Sequence, residues 1–446
     1  MVNMWRKLLP QTNTERGDLN TKGTTIMDLP EDIIVDILLR LPVKSLCCIQ
    51  CVSKTSFDIA RTPEFATLYS LRLLDPATNS HIFTFPQLIL YTKSFNQEYE
   101  SLVTLQSVEY ISGKNRLTKT RQSARVSKLC FKNCSYASYG QVDFVYCNLL
   151  CFYRGYELPR LLVNPLRGEV LELPGGNIGG SVNSWSGIGF DHVTSTYKIV
   201  TILPQANGNN HIIAQVLVFG TSSWRKILLV SPCDGMKIIF GTESKNTTYT
   251  SGHMHCLIYG NDGIRHIISF DFNKEELHEI PLPNDSLRLS YYSSDLTLLN
   301  LRGFLAIVNF GSRRRRKDHI EIWALKSYDK KKWELLHQIE INELNVDPDI
   351  INVNYAFANT CVEWEHGICF AKSDVCYFWD LRHLSVTMVK FPTFSSSMFS
   401  NSSWQNKRTI YRTSSIFGYT ESLISLKSYG IVIEETKSKE GECHID

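Results

Sequence analysis

The sequence predicts a mainly β protein with a small α-helical domain near its start, and two observations lead to this fold class. Helical periodicity of apolar residues is confined to the region from Leu29 to Arg61. Beyond Tyr69, short apolar runs separated by polar turns recur at a steady interval, which is typical of a repeating β architecture. With 446 residues, 43% apolar and 20% charged, the chain can hold one large domain and one small domain.

The first 26 residues contain no apolar run of signal-peptide length, and Pro10 interrupts their one candidate helix. We therefore expect a disordered lead-in and no membrane-spanning helix. The 13 cysteines, an odd number without a secretory signal, predict reduced thiols and a cytoplasmic or nuclear location, or both. A net charge of +3 produces no overall field that favours nucleic acid or a membrane.

The first predicted helix follows Asp28, which can cap it with Glu31 as the reciprocal partner. Pro42 ends this helix, because the residue before a proline avoids helical dihedral angles. A broad apolar stripe runs along the helix. It consists of Ile33, Ile34, Ile37, Leu38 and Leu41.

A second helix is predicted from Val43, and a third over Phe57 to Arg61 that stops at Thr62 and Pro63. Three short helices cannot bury all of this apolar surface by themselves. Two interpretations stay open on composition alone. The helices pack against the large domain, or one apolar face is left for a partner.

Four motifs follow one another in this region: LPED at 29–32, IL at 37–38, RLPVKSL at 40–46 and CVSK at 51–54. In order and spacing they resemble the plant F-box. The resemblance implies docking on a Skp-type adaptor, which connects the chain to a cullin and a RING protein in a ubiquitin ligase. Three positions depart from the family pattern. Cys48 and Gln50 stand where a basic residue is usual, and Ser56 stands where a tryptophan is usual.

The resemblance also implies which side chains contact the adaptor, and an exposed apolar patch is tolerated where a partner covers it. The implied set is Leu29, Pro30, Ile33, Ile34, Ile37, Leu38, Leu41, Pro42, Val43, Leu46, Val52 and Phe57.

The body of the chain repeats one unit, an apolar strand, a polar turn and a second strand. Its five copies start at Leu162, Val216, Ile267, Ile320 and Cys376, so that successive starts differ by 54, 51, 53 and 56 residues. A shorter strand signal precedes each copy, and further strands flank the five units. This step suits one four-stranded blade and predicts a β-propeller of roughly six to eight blades. A pair of β-sandwiches is the alternative at this point.

Four sets of motifs occur in the same region: NP at 164–165 with ELP at 172–174, GFD at 189–191 with YKIV at 197–200, SFD at 269–271 with IPLP at 280–283, and YTESL at 419–423. In this order they resemble the F-box-associated domain of plant proteins. In that family the domain binds the protein to be ubiquitinated. The turn before Leu149 lacks the usual glycine, and Cys256 stands where tryptophan is usual.

Four regions follow from these patterns. We predict a lead-in over 1–26, an F-box helical domain over 27–70, a propeller-like F-box-associated domain over 71–433, and a disordered polar tail over 434–446.

Other features suggest sites with weaker support. The run Arg313, Arg314, Arg315, Arg316, Lys317 is a candidate nuclear-import signal, and a nucleic-acid contact is less favoured because one basic loop is a small footprint. Trp185, in a glycine-rich stretch, is a candidate exposed contact for the target. Asp191 and Asp271 are expected to cap turns.

No metal site, catalytic pair or cofactor motif is predicted. His253, His255 and Cys256 lack a third ligand at a defined spacing, and the paired cysteines lack the spacing of structural zinc. No carboxylate pair, phosphate loop or nucleophile elbow is recognisable.

The sequence therefore predicts a non-catalytic substrate-recognition subunit of a Skp–cullin–F-box ubiquitin ligase that binds an unidentified target protein. Two alternatives stay open, an adaptor-independent propeller module (nuclear or RNA-associated) and a propeller hydrolase. A small molecule in the receptor pocket could also assist target recognition.

Overall fold

The computed structural model divides the chain into two compact units, Met1–Thr84 with Glu421–Ser425, and Phe85–Thr420 with Leu426–Asp446. The residues that the structure describes are 29–74, 87–96, 101–111, 116–119, 128–131, 141–153, 160–165, 167–175, 184–203, 211–232, 247–259, 264–288, 296–310, 319–340, 361–364, 367–372, 375–390, 409–419, 423–430 and 442–445. No helix in these ranges is long and apolar enough to cross a membrane.

The first unit is helical. Its helices are α1 (Glu31–Leu39), α2 (Val43–Val52), α3 (Lys54–Ala60) and α4 (Pro63–Leu74). The three predicted helices are present, although the third begins three residues before Phe57. The fourth was missed, because Pro63 was interpreted as the end of a helix. Proline fits the first turn of a helix, and the Thr62 hydroxyl caps α4 by accepting from the Phe65 amide.

The start of α1 differs from the predicted capping box. Pro30 occupies the N-cap and makes no side-chain cap bond, and its carbonyl accepts the amides of Ile33 and Ile34. Glu31 is thus the first helical residue, not the third, so it cannot play the reciprocal role. Asp28 and the lead-in lie outside the described residues.

The helical unit has its own apolar core. The buried members are Ile34, Val35, Leu38, Leu39, Leu46, Ile59, Ala60, Phe65, Leu68 and Tyr69. The Tyr69 hydroxyl donates to the Leu41 carbonyl (2.9 Å), which ties α4 to the end of α1. The core therefore uses one side of α1 together with Leu46 of α2, α3 and α4.

The second unit is a ring of four-stranded antiparallel blades. Blade 2 has β5 (Gln141–Tyr146), β6 (Leu149–Tyr153), β7 (Leu161–Asn164) and β8 (Glu169–Glu172); blade 3 has β9 (Trp185–Asp191), β10 (Thr196–Ile202), β11 (His211–Val218) and β12 (Arg225–Val230); blade 4 has β13 (Thr248–Thr250), β14 (His253–Tyr259), β15 (Arg265–Asp271) and β16 (Glu276–Ile280). Blade 5 has β17 (Leu296–Leu301), β18 (Phe304–Asn309), β19 (His319–Ser327) and β20 (Lys332–Glu340); blade 6 has β21 (Val362–Trp364), β22 (Gly367–Lys372), β23 (Val375–Asp380) and β24 (Ser385–Lys390). A single helical turn, α5 (Asp285–Arg288), follows β16.

Blade 1 is assembled from both ends of the propeller. Its strands are β1 (Gln87–Asn96), β2 (Ser101–Ile111), β3 (Arg116–Lys119), β4 (Lys128–Phe131), β25 (Thr409–Tyr419) and β26 (Glu442–Ile445). Strand β25 pairs with β1 in antiparallel register, with Gln87 opposite Tyr419. This pairing joins distant parts of the chain within one blade and closes the ring.

The innermost strands touch in order around the ring, from β25 to β5, β9, the β13–β14 hairpin, β17, β21 and back to β25. The protein is therefore a six-bladed β-propeller, and the prediction of a propeller is confirmed. The five repeated units are the third and fourth strands of blades 2 to 6. The flanking strands complete one blade, and the sandwich alternative is excluded.

Strand hairpins at one end of the blades are short and tightly specified. Two-residue turns join β13 to β14 and β17 to β18, and residues in both have positive φ, such as Arg302 at 52°. Four-residue turns join β9 to β10, β15 to β16, β19 to β20 and β23 to β24. The last residue of each turn has a positive φ; these residues are Ser195, Glu275, Lys331 and Leu384. The turn that lacks the family glycine places Cys147 at φ 52°.

Apolar side chains fill the spaces between neighbouring blades. Buried clusters join blades 1 and 2, 3 and 4, 4 and 5, 5 and 6, and 6 and 1. Four residues of the predicted disordered tail form a strand, since Glu442–Ile445 pairs in parallel with β4, whose open backbone edge accepts a further strand.

Candidate functional site

One face of α1 stays apolar and exposed although the helical unit has a complete core. Ile33 is 43% exposed, and Leu29, which directly precedes the N-cap Pro30, is 36% exposed. Ile37, one turn after Ile33, is half-buried. Spacing by four residues places Ile33 and Ile37 on one side of the helix, and Leu29 adds an apolar side chain at its start. This strip is the part of the predicted adaptor site that a partner can reach.

The structure separates the predicted adaptor-binding residues into two groups. Ile34, Leu38 and Leu46 are core residues of the helical unit. Their burial gives them a folding role. Those that are exposed or half-buried are Leu29, Pro30, Ile33, Ile37, Leu41, Pro42, Val43 and Phe57. The side chain of Val52 lies outside the described residues.

Ser56 and Phe57 show how the helical unit accommodates the missing tryptophan. Ser56 faces the core and is fully buried, and its amide donates to the Ser53 hydroxyl at the start of α3. Phe57 points outward, 38% exposed, with the Arg61 guanidinium 4.7 Å from its ring centroid. Phe57 therefore adds to the exposed apolar surface and does not fill the interior position.

Trp185 is not an exposed loop residue, so that prediction is wrong. It is the first residue of β9 and only 2% exposed. Its indole Nε1 donates to the Thr247 hydroxyl (3.1 Å), which in turn donates to the Ser186 carbonyl. Sequence reasoning placed Trp185 in a loop because glycines precede it, whereas pairing with Ile202 on β10 draws it into the blade.

A buried lysine links blades 3 and 4. Lys198 Nζ lies 2.6 Å from both Asp191 Oδ2 and Glu275 Oε1, and it donates to the Phe272 carbonyl. Arg225 pairs with the same Glu275 carboxylate. Burial raises the pKa of Asp191, but hydrogen bonds from Lys198, Thr194 and nearby amides outweigh it and hold the pKa below its usual value.

A second buried cation joins blades 2 and 3. Arg160 Nη1 donates to the hydroxyls of Ser186 (2.8 Å) and Thr201 (2.9 Å) and lies 3.2 Å from Asp143 Oδ2. Tyr146 of blade 2 meets Tyr197 of blade 3 edge-to-face. Sequence reasoning missed this group, because the residues come from three strands and the position before β7 and share no spacing.

Both predicted turn caps are confirmed. Asp191 Oδ1 accepts from the amides of Val193 and Thr194, and Asp271 Oδ1 accepts from the amides two and three residues on. Asp380 does the same in blade 6. Such carboxylates organise turns.

His253 and His255 share one face of β14, as predicted, with ring centroids 6.2 Å apart. His253 donates to the Ser251 carbonyl and lies near Asp271, and His255 bonds the Thr250 hydroxyl. Burial, with a smaller contribution from His253, lowers the pKa of His255 to about 3. Within the ranges described, no group of three or more His, Cys, Asp or Glu is arranged to hold a metal.

Blade 5 presents an exposed basic turn. Lys330, Lys331 and Lys332 are exposed at the β19–β20 hairpin. Arg302 is exposed in the other hairpin of the same blade. The arginine run 313–317 lies outside the described residues and directly precedes β19, whereas these lysines follow its far end.

Comparison with known proteins agrees with the two-unit architecture. The model of the F-box domain matches residues 26–68, and that of the F-box associated beta propeller domain matches residues 96–412. Putative F-box protein At3g52320 of Arabidopsis thaliana is 22% identical over 69% of this chain and 71% of its own length. F-box protein At5g65850 of the same plant is 26% identical over 74% of this chain and 75% of its own length.

Among solved structures, the SapL1 lectin in complex with alpha methyl fucoside aligns with a TM-score of 0.35 and 12% identity, over 72% of this chain and 99% of that chain. A likeness this distant carries no functional argument. An F-box followed by its associated propeller indicates an adaptor-type receptor with a general role in substrate recognition, where the F-box implies a Skp-type adaptor and the propeller a target. By its helical motif, its six-bladed ring and both family matches, this chain belongs to the F-box proteins that carry an F-box associated beta propeller domain.

Proposed function

We propose that this chain recruits a target protein to a Skp–cullin–F-box ubiquitin ligase, in the cytoplasm, the nucleus or both. The helical unit binds a Skp-type adaptor, and through it a cullin and a RING protein. The propeller binds the target, which is then ubiquitinated. The chain supplies proximity, since holding a lysine near a charged ubiquitin carrier raises its effective concentration without a catalytic residue in the receptor.

The observation that carries the proposal is the exposed apolar strip on α1. Exposing apolar side chains to water is unfavourable, and burying one such side chain against a partner stabilises the complex by roughly 1.5–3 kcal/mol. Leu29 and Ile33 are exposed while the neighbouring Ile34 and Leu38 complete the core. The strip therefore suits helix-in-groove packing against a partner.

The proposal is tested by co-expressing the full chain with a plant Skp-type adaptor and measuring complex formation by gel filtration and titration. The variant to use is Leu29→Asp with Ile33→Asp, because both side chains are exposed and can change without disturbing the core. Leu41 packs against that core and is unsuitable. We expect a stoichiometric wild-type complex, weakened at least about a hundredfold in the double variant.

The matched control is Leu228→Asp with Val230→Asp, the same chemical change at two exposed apolar positions of β12 in the propeller. It should bind the adaptor as the wild type does. Equal binding by the α1 variant, or no complex with any form, would contradict the proposal.

An adaptor-independent binding module is the second candidate, and Ser56 is the observation that favours it. A buried serine stands where the family usually places a tryptophan, so the helical unit lacks one large core side chain that would support the adaptor-binding surface. Absence of a complex with wild-type chain at micromolar adaptor would support this candidate over the first.

A further inference from the structure

Cationic side chains gather at the hairpin end of blade 5. Three lie at the β19–β20 turn, Lys330–Lys332, and Arg302 lies in the β17–β18 turn. Lys326 belongs with them, because its Nζ is 4.4 Å from the ring centroid of Phe304, next to the Arg302 turn. We call Arg302, Lys326, Lys330, Lys331 and Lys332 the blade 5 cations.

These cations have few opposing charges. Asp329 is the one carboxylate within the two turns, and Glu334 follows on β20. Within the described part of the chain, none of the five forms an ion pair; Lys331 Nζ instead donates to the Glu279 carbonyl (2.9 Å). Elsewhere in the propeller, Arg160 and Lys198 are paired with carboxylates. The blade 5 cations are thus exposed and have no ion-pair partner in the described ranges, so that they can attract an external anion.

Glu363 is a further acidic group beside this site, and its negative charge offsets the positive charge of Arg302 only in part. Glu363 belongs to blade 6, and each oxygen of its carboxylate lies 3.1 Å from the Arg302 backbone amide, from which it accepts a hydrogen bond. Burial raises the pKa of Glu363 to about 7, although the Arg302 amide and charge lower it. At neutral pH this carboxyl is therefore partly protonated.

The basic turn is held rigidly against blade 4. The hydroxyls of Tyr328 and Ser269 are 2.5 Å apart, and the Tyr328 ring stacks on His253 at 4.7 Å. Trp333 Nε1 donates to the Pro281 carbonyl (2.8 Å). A preorganised turn loses little conformational freedom when a ligand binds, so its charges are more effective than those of a flexible loop.

The surroundings favour a protein ligand over single-stranded nucleic acid. Proteins that hold single strands stack bases on exposed aromatic rings. Among the propeller residues whose side-chain exposure is described, no Phe, Tyr or Trp is exposed, and Phe57, which is, belongs to the helical unit. Charge attraction without stacking platforms suits carboxylates on an extended polypeptide.

We propose that the blade 5 cations form a docking site for an acidic, carboxylate-rich segment of the target protein. This rests on the proposed function, because it assigns part of the target-binding surface of that receptor. Charged contacts of this kind steer association and weaken as salt rises.

The probe is a short fluorescein-labelled peptide in which Glu alternates with Ser, compared with its Gln counterpart. Binding to the full chain is followed by fluorescence anisotropy at about 50 and about 300 mM NaCl. The variant is Lys330→Glu with Lys332→Glu. The control is Lys226→Glu with Lys427→Glu, two exposed lysines on β12 and after β25 that produce the same change in net charge.

We expect the Glu peptide to bind, the Gln peptide not to bind, and the blade 5 variant to bind at least about tenfold more weakly, while the control changes less than about twofold. Equal losses in both variants would overturn the proposal, since attraction would then follow net charge only. So would the absence of Glu-peptide binding at low salt, or tighter binding of a single-stranded DNA probe that depends on the same lysines. Adaptor binding is measured on the same samples, so that failure of this site is distinguished from failure of the receptor function.

Discussion

The joint between blades 3 and 4 depends on a glycine that leaves no room for a side chain. A Cβ added at Gly189 would lie 2.2, 2.3 and 2.6 Å from three ring carbons of Phe272. Carbon atoms attract best at about 3.5–4.0 Å, so Gly189→Ala must displace the ring or the strand by about 1.5 Å.

The ring has little freedom to move. Phe272 is 1% exposed and packs edge-to-face on Phe270 with centroids 5.2 Å apart. Lys198 donates to its carbonyl, which holds the backbone as well. Overpacking in a close-packed interior costs roughly 1–3 kcal/mol, and three contacts this short place Gly189→Ala at about 3 kcal/mol.

The assay is urea denaturation followed by tryptophan fluorescence. Helices α1 to α4 contain no tryptophan, whereas the propeller contains several, so the signal reports on the blades. The control is Gly175→Ala, whose new Cβ would meet nothing within 4 Å. We expect the control to stay within about 0.5 kcal/mol of wild type.

A double variant separates the clash from other effects. Phe272→Leu removes part of the ring, so Gly189→Ala should cost at least about 1 kcal/mol less in that background than in wild type. The reasoning is refuted if Gly189→Ala unfolds at the wild-type urea concentration, or if its cost is the same with and without the Phe272 ring.

Two further predictions concern blades 5 and 6. The pKa of Glu363 is raised to about 7, so the contribution of its protonated form to stability is present below its ordinary pKa and is lost as pH rises through about 7. Between about pH 5 and 8 the wild type should therefore lose up to about 3 kcal/mol of unfolding free energy, whereas Glu363→Gln should not. Parallel curves of unfolding free energy against pH for the two proteins would contradict this. Leu384 is exposed and has a positive φ of 48°, a conformation that strains a residue with a Cβ. Leu384→Gly should therefore stabilise the blade by about 1 kcal/mol, whereas Leu384→Ala, which keeps the Cβ, should not. Equal urea midpoints for the two variants would exclude strain at this turn.

Local patterns predicted much of the architecture. The break at Pro42 separates α1 from α2 as expected, since proline ends a helix through its own covalent geometry. The repeated step from Leu162 to Cys376 marks the third strand of each blade from 2 to 6, because one blade is one supersecondary unit. The turn caps at Asp191 and Asp271 also depend only on neighbouring residues.

The candidate sites were predicted less completely. The sequence located the helix of the proposed adaptor site, but it did not distinguish Ile33, which is exposed, from Ile34, which is buried. Adjacent residues in an apolar stripe differ only in how the other helices pack against them. Among the blade 5 cations, Arg302 and Lys326 could not be placed at the same end of the blade as Lys330–Lys332 before the hairpins of blade 5 were known.

The sequence by itself determined the kinds of elements, their order and the family to which they belong, because periodicity, turn chemistry and motifs are properties of short segments. Only the tertiary structure decided the number of blades, since closure depends on β25 pairing with β1 across most of the chain. It also decided the burial of Trp185 and the meeting of Lys198 with Glu275. Burial and ion pairing depend on residues far apart in the chain, and their contacts follow from strand register and blade packing.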